Sequence, residues 1–342
     1  MKNVWEGKNV YKWQKHRGNR LRKAYLCNAS ICNASFDDAK YKDRILKILE
    51  DKLAEDCRFD MDVTSESVLK DDAQIYGVIK VKEKGVLAGL EEVLTFYSRH
   101  YIKSKPLKKD GDSLEEGEII AELYGKEKDF LKVERTGLNV LQRMSGIATQ
   151  TKNLADTAEP YGVKVVGTRK TLLSRLDKKA IHTGGGLPHR FGLYDAILIK
   201  DNHLAAIREE GVEDAISTAI ERAYKAYPSF KVAEKTENEY DPKFHSLVNF
   251  IEIEVSNLED AVKAAEKFKD VLLSDKASYY IEEMDPFPCI IMFDNMKPSE
   301  IRQTIKELKK KGLYDYVLLE ASGGITEKNF KQYAKTKVDV IS

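Results

Sequence analysis

Hydrophobic and polar positions change rhythm twice along this chain of 342 residues. Between residues 38 and 57, Ile45, Leu46, Ile48, Leu49 and Leu53 stand among charges at helical spacing, which gives a helix one apolar face. Residues 75–81 read as a strand, and residues 85–97 turn into a helix through Leu94 and Tyr97. Gly111, Gly117 and Gly125 then punctuate short strand-like segments, of which Ile119-Ile120-Ala121 is the clearest. This set predicts a small α+β domain ending near residue 130. Leu138, Leu141, Met144 and Ile147 follow at three-residue steps, the mark of a further helix.

From residue 160 the texture becomes one of short apolar runs separated by helical stretches. The runs cover residues 163–167, 196–199, 251–255, 290–293, 316–319 and 338–341. Such alternation implies parallel strands. No Gly-x-Gly-x-x-Gly follows a run, so a barrel fits better than a dinucleotide-binding sheet, and a dinucleotide oxidoreductase is disfavoured.

The ends of these runs carry the informative regularity. The first runs into Thr168-Arg169-Lys170 and the second into Lys200-Asp201. The third carries Glu254, the fourth Asp294-Asn295, and the fifth leads to Glu320-Ala321-Ser322-Gly323-Gly324. In a parallel barrel the carboxyl ends of the strands open on one face, where active sites lie. A lone arginine is ordinarily half of a surface ion pair. Here Arg169, Lys170, His189, Arg190 and Lys200 crowd around apolar runs in a chain whose net charge is only +1. That crowding points to a pocket for a multiply anionic small molecule. Arginine offers a fork for carboxylate or phosphate, and lysine a compact point charge.

Ser322-Gly323-Gly324-Ile325, ahead of a helix-like stretch, reads as a phosphate cradle, although a glycine pair is often only a turn. Glu254 and Asp294 are the candidate acids. They suit sugar hydroxyls or a magnesium ion, or else a structural salt bridge to the same cations. Gly184-Gly185-Gly186 implies close backbone approach just before His189. His182 and His203 flank the site as supporting candidates.

Composition narrows the classes. A balance of 57 basic and 56 acidic residues argues against a general nucleic-acid binder. No apolar run is long enough to span a membrane. Cys27, Cys32, Cys57 and Cys289 form no metal-like spacing, so reduced thiols in a reducing compartment are expected. The sequons at Asn28 and Asn33 have no secretory segment before them and are read as chance. Residues 1–36 form a basic, acid-poor leader containing Trp5 and Trp13. It suits a transit peptide or an RNA-touching arm, and a poorly ordered extension is favoured over both.

Ordered motifs then carry a resemblance. Glu134-Arg135-Thr136 with Leu138-Asn139, Ser145-Gly146-Ile147-Ala148-Thr149, Thr168-Arg169-Lys170-Thr171, and Gly184-Gly185-Gly186 with His189-Arg190 come first. Ile199-Lys200-Asp201-Asn202-His203, Glu252-Ile253-Glu254-Val255, Asp294-Asn295-Met296 and Ser322-Gly323-Gly324-Ile325 follow. The chain resembles, over residues 40–342, the quinolinate phosphoribosyltransferases, also called carboxylating nicotinate-nucleotide pyrophosphorylases.

The resemblance implies an N-terminal open α/β sandwich over residues 37–150. An incomplete α/β barrel of about six parallel strands over residues 151–342 follows it, with residues 1–36 as a basic extension. It implies a cytoplasmic homodimer or higher homo-oligomer, with Arg135 donated into the neighbouring subunit's site. Thr168, Arg169, Lys170, His189, Arg190 and Lys200 would hold quinolinate and phosphoribosyl pyrophosphate. Glu254 and Asp294 would bind ribose and Mg²⁺, and Ser322, Gly323 and Gly324 the 5′-phosphate. Lys170, Glu254 and Asp294 would be the catalytic groups. Gly167 stands where the family usually has aspartate and Pro188 where it usually has asparagine. Insertions are expected near residues 235–249 and 268–288. A nicotinate-using transferase and a non-catalytic ligand-binding relative are the rival readings.

Overall fold

The computed structural model of the chain describes residues 17–26, 39–57, 61–70, 73–233, 244–246, 248–274 and 287–342. The chain divides into two compact units. One holds the described residues of Met1–Asn28, Asp156–Arg169 and His189–Ser342. The other holds those of Ala29–Ala155 and Lys170–Pro188.

The first helix, α1 (Arg17–Leu26), belongs to the first of these units. The second unit then runs through α2 (Ala39–Asp56), α3 (Val63–Val68), β1 (Gln74–Lys80), β2 (Gly85–Val86) and α4 (Leu90–Arg99). It continues with β3 (Lys103–Pro106), β4 (Ser113–Leu114), β5 (Ile119–Lys126) and the long α5 (Glu127–Ala158). Strands β1 and β3 flank β5, antiparallel on both sides. The predicted periodicity of α2 is realised: Tyr41, Ile45, Leu46, Leu49 and Leu53 are buried against Val93, Phe96 and Tyr97 of α4 and Val133, Leu141 and Met144 of α5 in one core. Beneath it, buried Glu92 accepts hydrogen bonds from Tyr41 Oη at 2.9 Å and Lys179 Nζ at 2.5 Å. A buried carboxylate needs such partners to offset the loss of water.

The barrel unit consists of β6 (Lys164–Val165), β7 (Ile197–Ile199), α7 (Asp201–Glu209) and α8 (Ala215–Ala226). After them come β8 (Lys231–Ala233), β9 (Phe244–Ser246), β10 (Ile251–Val255), α9 (Leu258–Ser274) and β11 (Cys289–Asp294). It ends with α10 (Pro298–Lys310), β12 (Leu318–Ser322), α11 (Glu327–Ala334) and β13 (Val340–Ile341); α6 (Ser174–Thr183) lies in the other unit. Six strands form one parallel sheet in the order β6-β13-β12-β11-β10-β7. All six correspond to the apolar runs read from the sequence. The first two strands of this sheet in chain order, β6 and β7, are its two edges, so among the described residues the barrel is open between them. Strands β8 and β9 pair as a hairpin in the stretch expected to hold an insertion, and residues 234–243 between them lie outside the described residues.

The leader departs from expectation. Residues 17–26 are not a loose extension but a helix tied to the barrel unit. Arg17 forks onto Asp339, with Nε to Oδ1 at 2.8 Å and Nη2 to Oδ2 at 2.5 Å. Its guanidinium also covers the Tyr314 ring at 4.0 Å. Trp5, Trp13, Cys27, Cys32 and both sequons lie outside the described residues. Cys57 and Cys289 are buried free thiols.

Candidate active site

Period-two alternation along the barrel strands sorts the side chains. In β10, Ile251, Ile253 and Val255 are buried on one face and Glu252 and Glu254 share the other. In β11 that second face carries Ile290, Met292 and Asp294, and in β12 it carries Leu318, Glu320 and Ser322. The register pairs Glu254 with Met292, Met292 with Glu320, and Asp294 with Ser322. On that face each strand becomes less buried or more polar toward its carboxyl end, from Glu252 to Glu254, from Met292 to Asp294 and from Glu320 to Ser322. Glu254, Asp294 and Ser322 rim one mouth, as the sequence predicted.

The cations join them there. Lys200, the residue after β7, places Nζ 2.6 Å from Glu254 Oε1. Its backbone N–H donates to His203 Nδ1 at 2.9 Å, which caps α7 and accounts for His203. Arg190 is 7% exposed, and burial holds its pKa below the ordinary value, with Arg169 repelling it in the same sense. Glu252, Asp195 and Glu254 oppose that shift. Arg169, Arg190, Glu254 and Lys200 therefore share one neighbourhood. Arg169 itself is exposed and Thr168 half-buried. Asp195 builds the turn after Arg190 by accepting from Phe191 N at 2.8 Å and Gly192 N at 3.2 Å.

His189 lies deeper. Its backbone is left-handed, with φ 56°, and its Nδ1 accepts the Arg190 backbone N–H at 2.7 Å. Its Nε2 faces Glu252 Oε2 at 3.2 Å and Glu320 Oε2 at 3.5 Å. Burial disfavours the imidazolium, but Glu320 and Glu252 overcome that and push its pKa up to about 9. Burial and Glu320 raise Glu252, whereas Glu320 is lowered because His189 and hydroxyl donors outweigh its burial. His189 is thus the cation of a buried cluster rather than a freely exposed contact.

The glycine turn has the shape the sequence suggested. Gly323 and Gly324 have φ of 84° and 63°. A Cβ on Gly323 would stand 2.5 Å from Asn295 Oδ1 and 2.7 Å from Asn295 N. Asn295 N in turn donates to Ser322 O at 2.9 Å, and Asn295 Nδ2 to Asp294 Oδ2 at 3.0 Å. The turn ends in α11, whose Thr326 N donates to Asn329 Oδ1 at 2.7 Å.

Two expected site residues belong to the other unit. Arg135 is exposed on α5, and Lys170 is exposed just before Thr171. There Asp177 of α6 staples the chain after Lys170: it accepts the Thr171 hydroxyl, Leu173 N at 3.1 Å, and Arg143 Nε and Nη2 at 2.8 and 2.7 Å. Lys178, also of α6, donates to the Pro188 carbonyl just before His189. The triple glycine makes the expected close approach: a Cβ on Gly186 would meet Thr151 Cγ2 at 2.7 Å and Ile181 Cγ2 at 2.8 Å. His182 stands on α6, in the other unit.

Sequence reasoning gave Asp195, Asp177 and Tyr25 no role, and it counted Glu252, Glu320 and Asn295 only as members of motifs or of polar run ends. Two of them had a readable signal. Glu252 and Glu320 each precede a rim residue by two, which puts them on the same strand face one pleat deeper.

Comparison with known proteins decides what this arrangement belongs to. The model for the quinolinate phosphoribosyl transferase N-terminal domain matches residues 62–145, and that for its C-terminal domain matches residues 147–241 and 230–342. The chain belongs to the quinolinate phosphoribosyl transferase family. Relatives include the probable carboxylating nicotinate-nucleotide pyrophosphorylase of Methanocaldococcus jannaschii, 38% identical over 304 residues, which covers 87% of this chain and 90% of that one. The corresponding protein of Methanothermobacter thermautotrophicus is 35% identical over 302 residues, covering 87% and 92%. The structure is similar to that of the nicotinate-nucleotide pyrophosphorylase from Francisella tularensis, with a TM-score of 0.66 and 29% identity over 88% of this chain and 90% of that one. Helix α1 precedes the first residue matched by the family models. Among the described residues, no helix is long and apolar enough to cross a membrane.

Proposed function

We propose that this chain transfers a phosphoribosyl group from phosphoribosyl pyrophosphate to quinolinate and releases pyrophosphate, carbon dioxide and nicotinate mononucleotide, as an enzyme of de novo NAD synthesis. The observation that carries this reading is the barrel mouth itself. Lys200 pairs with Glu254, Arg190 lies within electrostatic reach of Glu254 and of Arg169, and Asp294 stands one strand away and the Ser322-Gly323-Gly324 turn two. Cations matched to a diacid and carboxylates matched to a sugar thus share one rim.

The chemistry follows from those charges. The pyridine nitrogen lone pair attacks the anomeric carbon, and the bond to pyrophosphate breaks with its electron pair leaving on oxygen. Positive charge develops on the ribose, where Glu254 and Asp294 stabilise it. Arg169, Arg190, Lys170 and Lys200 orient the diacid and balance the phosphates, and the glycine turn takes the 5′-phosphate. The quaternised ring then accepts the electrons of the adjacent carbon–carboxylate bond. Carbon dioxide leaves, and a proton from solvent completes the product.

The oxygen donors Glu254 and Asp294, on one face of adjacent strands, fit Mg²⁺, a hard cation that keeps several waters. When bound, the ion would supply charge neutralisation for the leaving pyrophosphate. Arg135, exposed on α5, suits donation to a second subunit in a homodimer or higher homo-oligomer. A cytoplasmic location and the absence of nucleic-acid partners belong to the same reading. The testing experiment supplies quinolinate or nicotinate with phosphoribosyl pyrophosphate and follows the mononucleotide. Quinolinate-dependent product supports the reading, nicotinate-dependent product would favour the rival transferase, and no product with either would reject both.

A further inference from the structure

Helix α1 makes contacts that share one address. Arg17 grips Asp339, the residue before β13, and its Nη1 donates to the carbonyls of Tyr314 at 2.8 Å and Val317 at 2.7 Å, just before β12. Arg20 donates to the Asp315 carbonyl in the same turn. The Tyr25 ring lies 5.4 Å from that of Phe250, the residue before β10. All of these positions stand at the amino ends of the parallel strands, opposite the rim of Glu254, Asp294 and Ser322. Helix α1 therefore closes the bottom of the barrel.

From there Tyr25 reaches inward. It is 0% exposed, and its hydroxyl donates to Glu320 Oε2 at 2.8 Å. Its ring lies 5.4 Å from that of His189, which in turn meets the Phe250 ring edge-on at 5.2 Å. Glu320 and Glu252 face His189 Nε2, and His189 Nδ1 accepts the Arg190 N–H. A left-handed backbone at a non-glycine residue is strained and persists only where its surroundings over-determine it. The carboxylates and the two aromatic rings are those surroundings for His189.

We propose that Tyr25 is a positioning residue for the diacid-binding face. Its hydroxyl orients Glu320, Glu320 with Glu252 fixes the His189 ring, and that ring holds the backbone from which Arg190 enters the site. The inference deepens the proposed function and rests on it for the identity of the diacid. It gives the basic leader a structural task in the reaction, in a part of the chain that the family models do not match.

The test uses the full chain with ¹⁵N-labelled histidine rings, as wild type, Tyr25→Phe and Arg17→Ala. Tyr25→Phe keeps the ring against Phe250 and His189 and removes only the donor. Of the six histidines, His189 is expected to show the largest change in ring resonance, assigned by its loss in His189→Gln. The KM for quinolinate should rise roughly fivefold, the factor for one hydrogen bond, with kcat and the KM for phosphoribosyl pyrophosphate within about twofold. Arg17→Ala, which undocks the helix without touching His189, should give the same pattern and supplies the readings if Tyr25→Phe does not fold. A His189 resonance that does not move, or equal KM increases for both substrates, overturns the proposal. Were the wild type to ignore quinolinate, the functional reading would fail, and the His189 resonance alone would decide the role of Tyr25.

Discussion

Lys200 Nζ and Glu254 Oε1 stand 2.6 Å apart although 54 positions separate the two residues in the chain. The lysine is about half exposed and the carboxylate mostly buried. A pair of that exposure contributes about 0–1 kcal/mol to stability. On the proposed function the same pair stands at a mouth that binds anions and stabilises a ribosyl cation, where it is worth more to turnover. Lys200→Met is therefore expected to shift Tm little and to lower kcat/KM about 100-fold. A large loss of Tm with activity retained would make the pair a structural bridge.

Among the described residues, no ion pair joins Arg169 to an acid of the rim. Arg169→Ala is expected to lose ~2–4 kcal/mol of transition-state stabilisation, the scale for removing one preorganised charged donor. Thermal unfolding should be unaltered, because the side chain is exposed. Single-turnover kinetics on the variant measure the effect, and unchanged turnover would reject the assigned role.

Gly323→Ala combines a left-handed φ of 84° with a Cβ 2.7 Å from Asn295 N. Strain of about 1–3 kcal/mol is expected, with a shift of the turn away from Asn295. The expected result is an increased Kd for phosphoribosyl pyrophosphate by calorimetry. Since the proposed function assigns the turn to the 5′-phosphate, quinolinate affinity should change much less.

The His189 cluster makes stability depend on pH. The pKa of His189 is raised from its ordinary 6.5 to about 9, so its contribution is fully present below about 6.5 and is lost as pH rises through about 9. Glu252, also raised, acts in the same sense. Denaturant unfolding across that window should show wild-type stability falling, and His189→Gln should flatten the decline.

Asp177 acts with the opposite sign. Burial would raise it, but Arg143, the Thr171 hydroxyl and Leu173 N–H hold it below the usual carboxylate range. Its contribution is present above the ordinary carboxylate pKa and is lost as pH falls through the depressed one. Asp177→Asn should cost about 2 kcal/mol at neutral pH, the scale for hydrogen bonds to a charged group. The loosened chain beside Lys170 should also lower kcat, and urea unfolding with steady-state rates checks both.

Much of the barrel was legible because parallel strands covered on both faces read as continuous apolar runs. The rim was legible because polar residues ended run after run. The buried layer beneath it was harder to see. Glu252 sits inside an apolar run, where a carboxylate reads as an interruption, and Glu320 ends one, where it reads as part of the rim; their shared histidine partner arrives from a distant loop. Helix α1 was illegible for a related reason. It is held by an arginine fork, backbone carbonyls and one phenol, and these leave no apolar stripe. Asp177 was hidden because its partners Arg143, Thr171 and Leu173 meet only after α5 and α6 pack.

The most direct measurement of the central claim uses quinolinate labelled at the carboxyl beside the ring nitrogen, with phosphoribosyl pyrophosphate and Mg²⁺. One labelled carbon dioxide should be released for each pyrophosphate and each nicotinate mononucleotide formed, and Lys200→Met should suppress all three together. Pyrophosphate release from nicotinate, with the quinolinate label retained, would contradict the account.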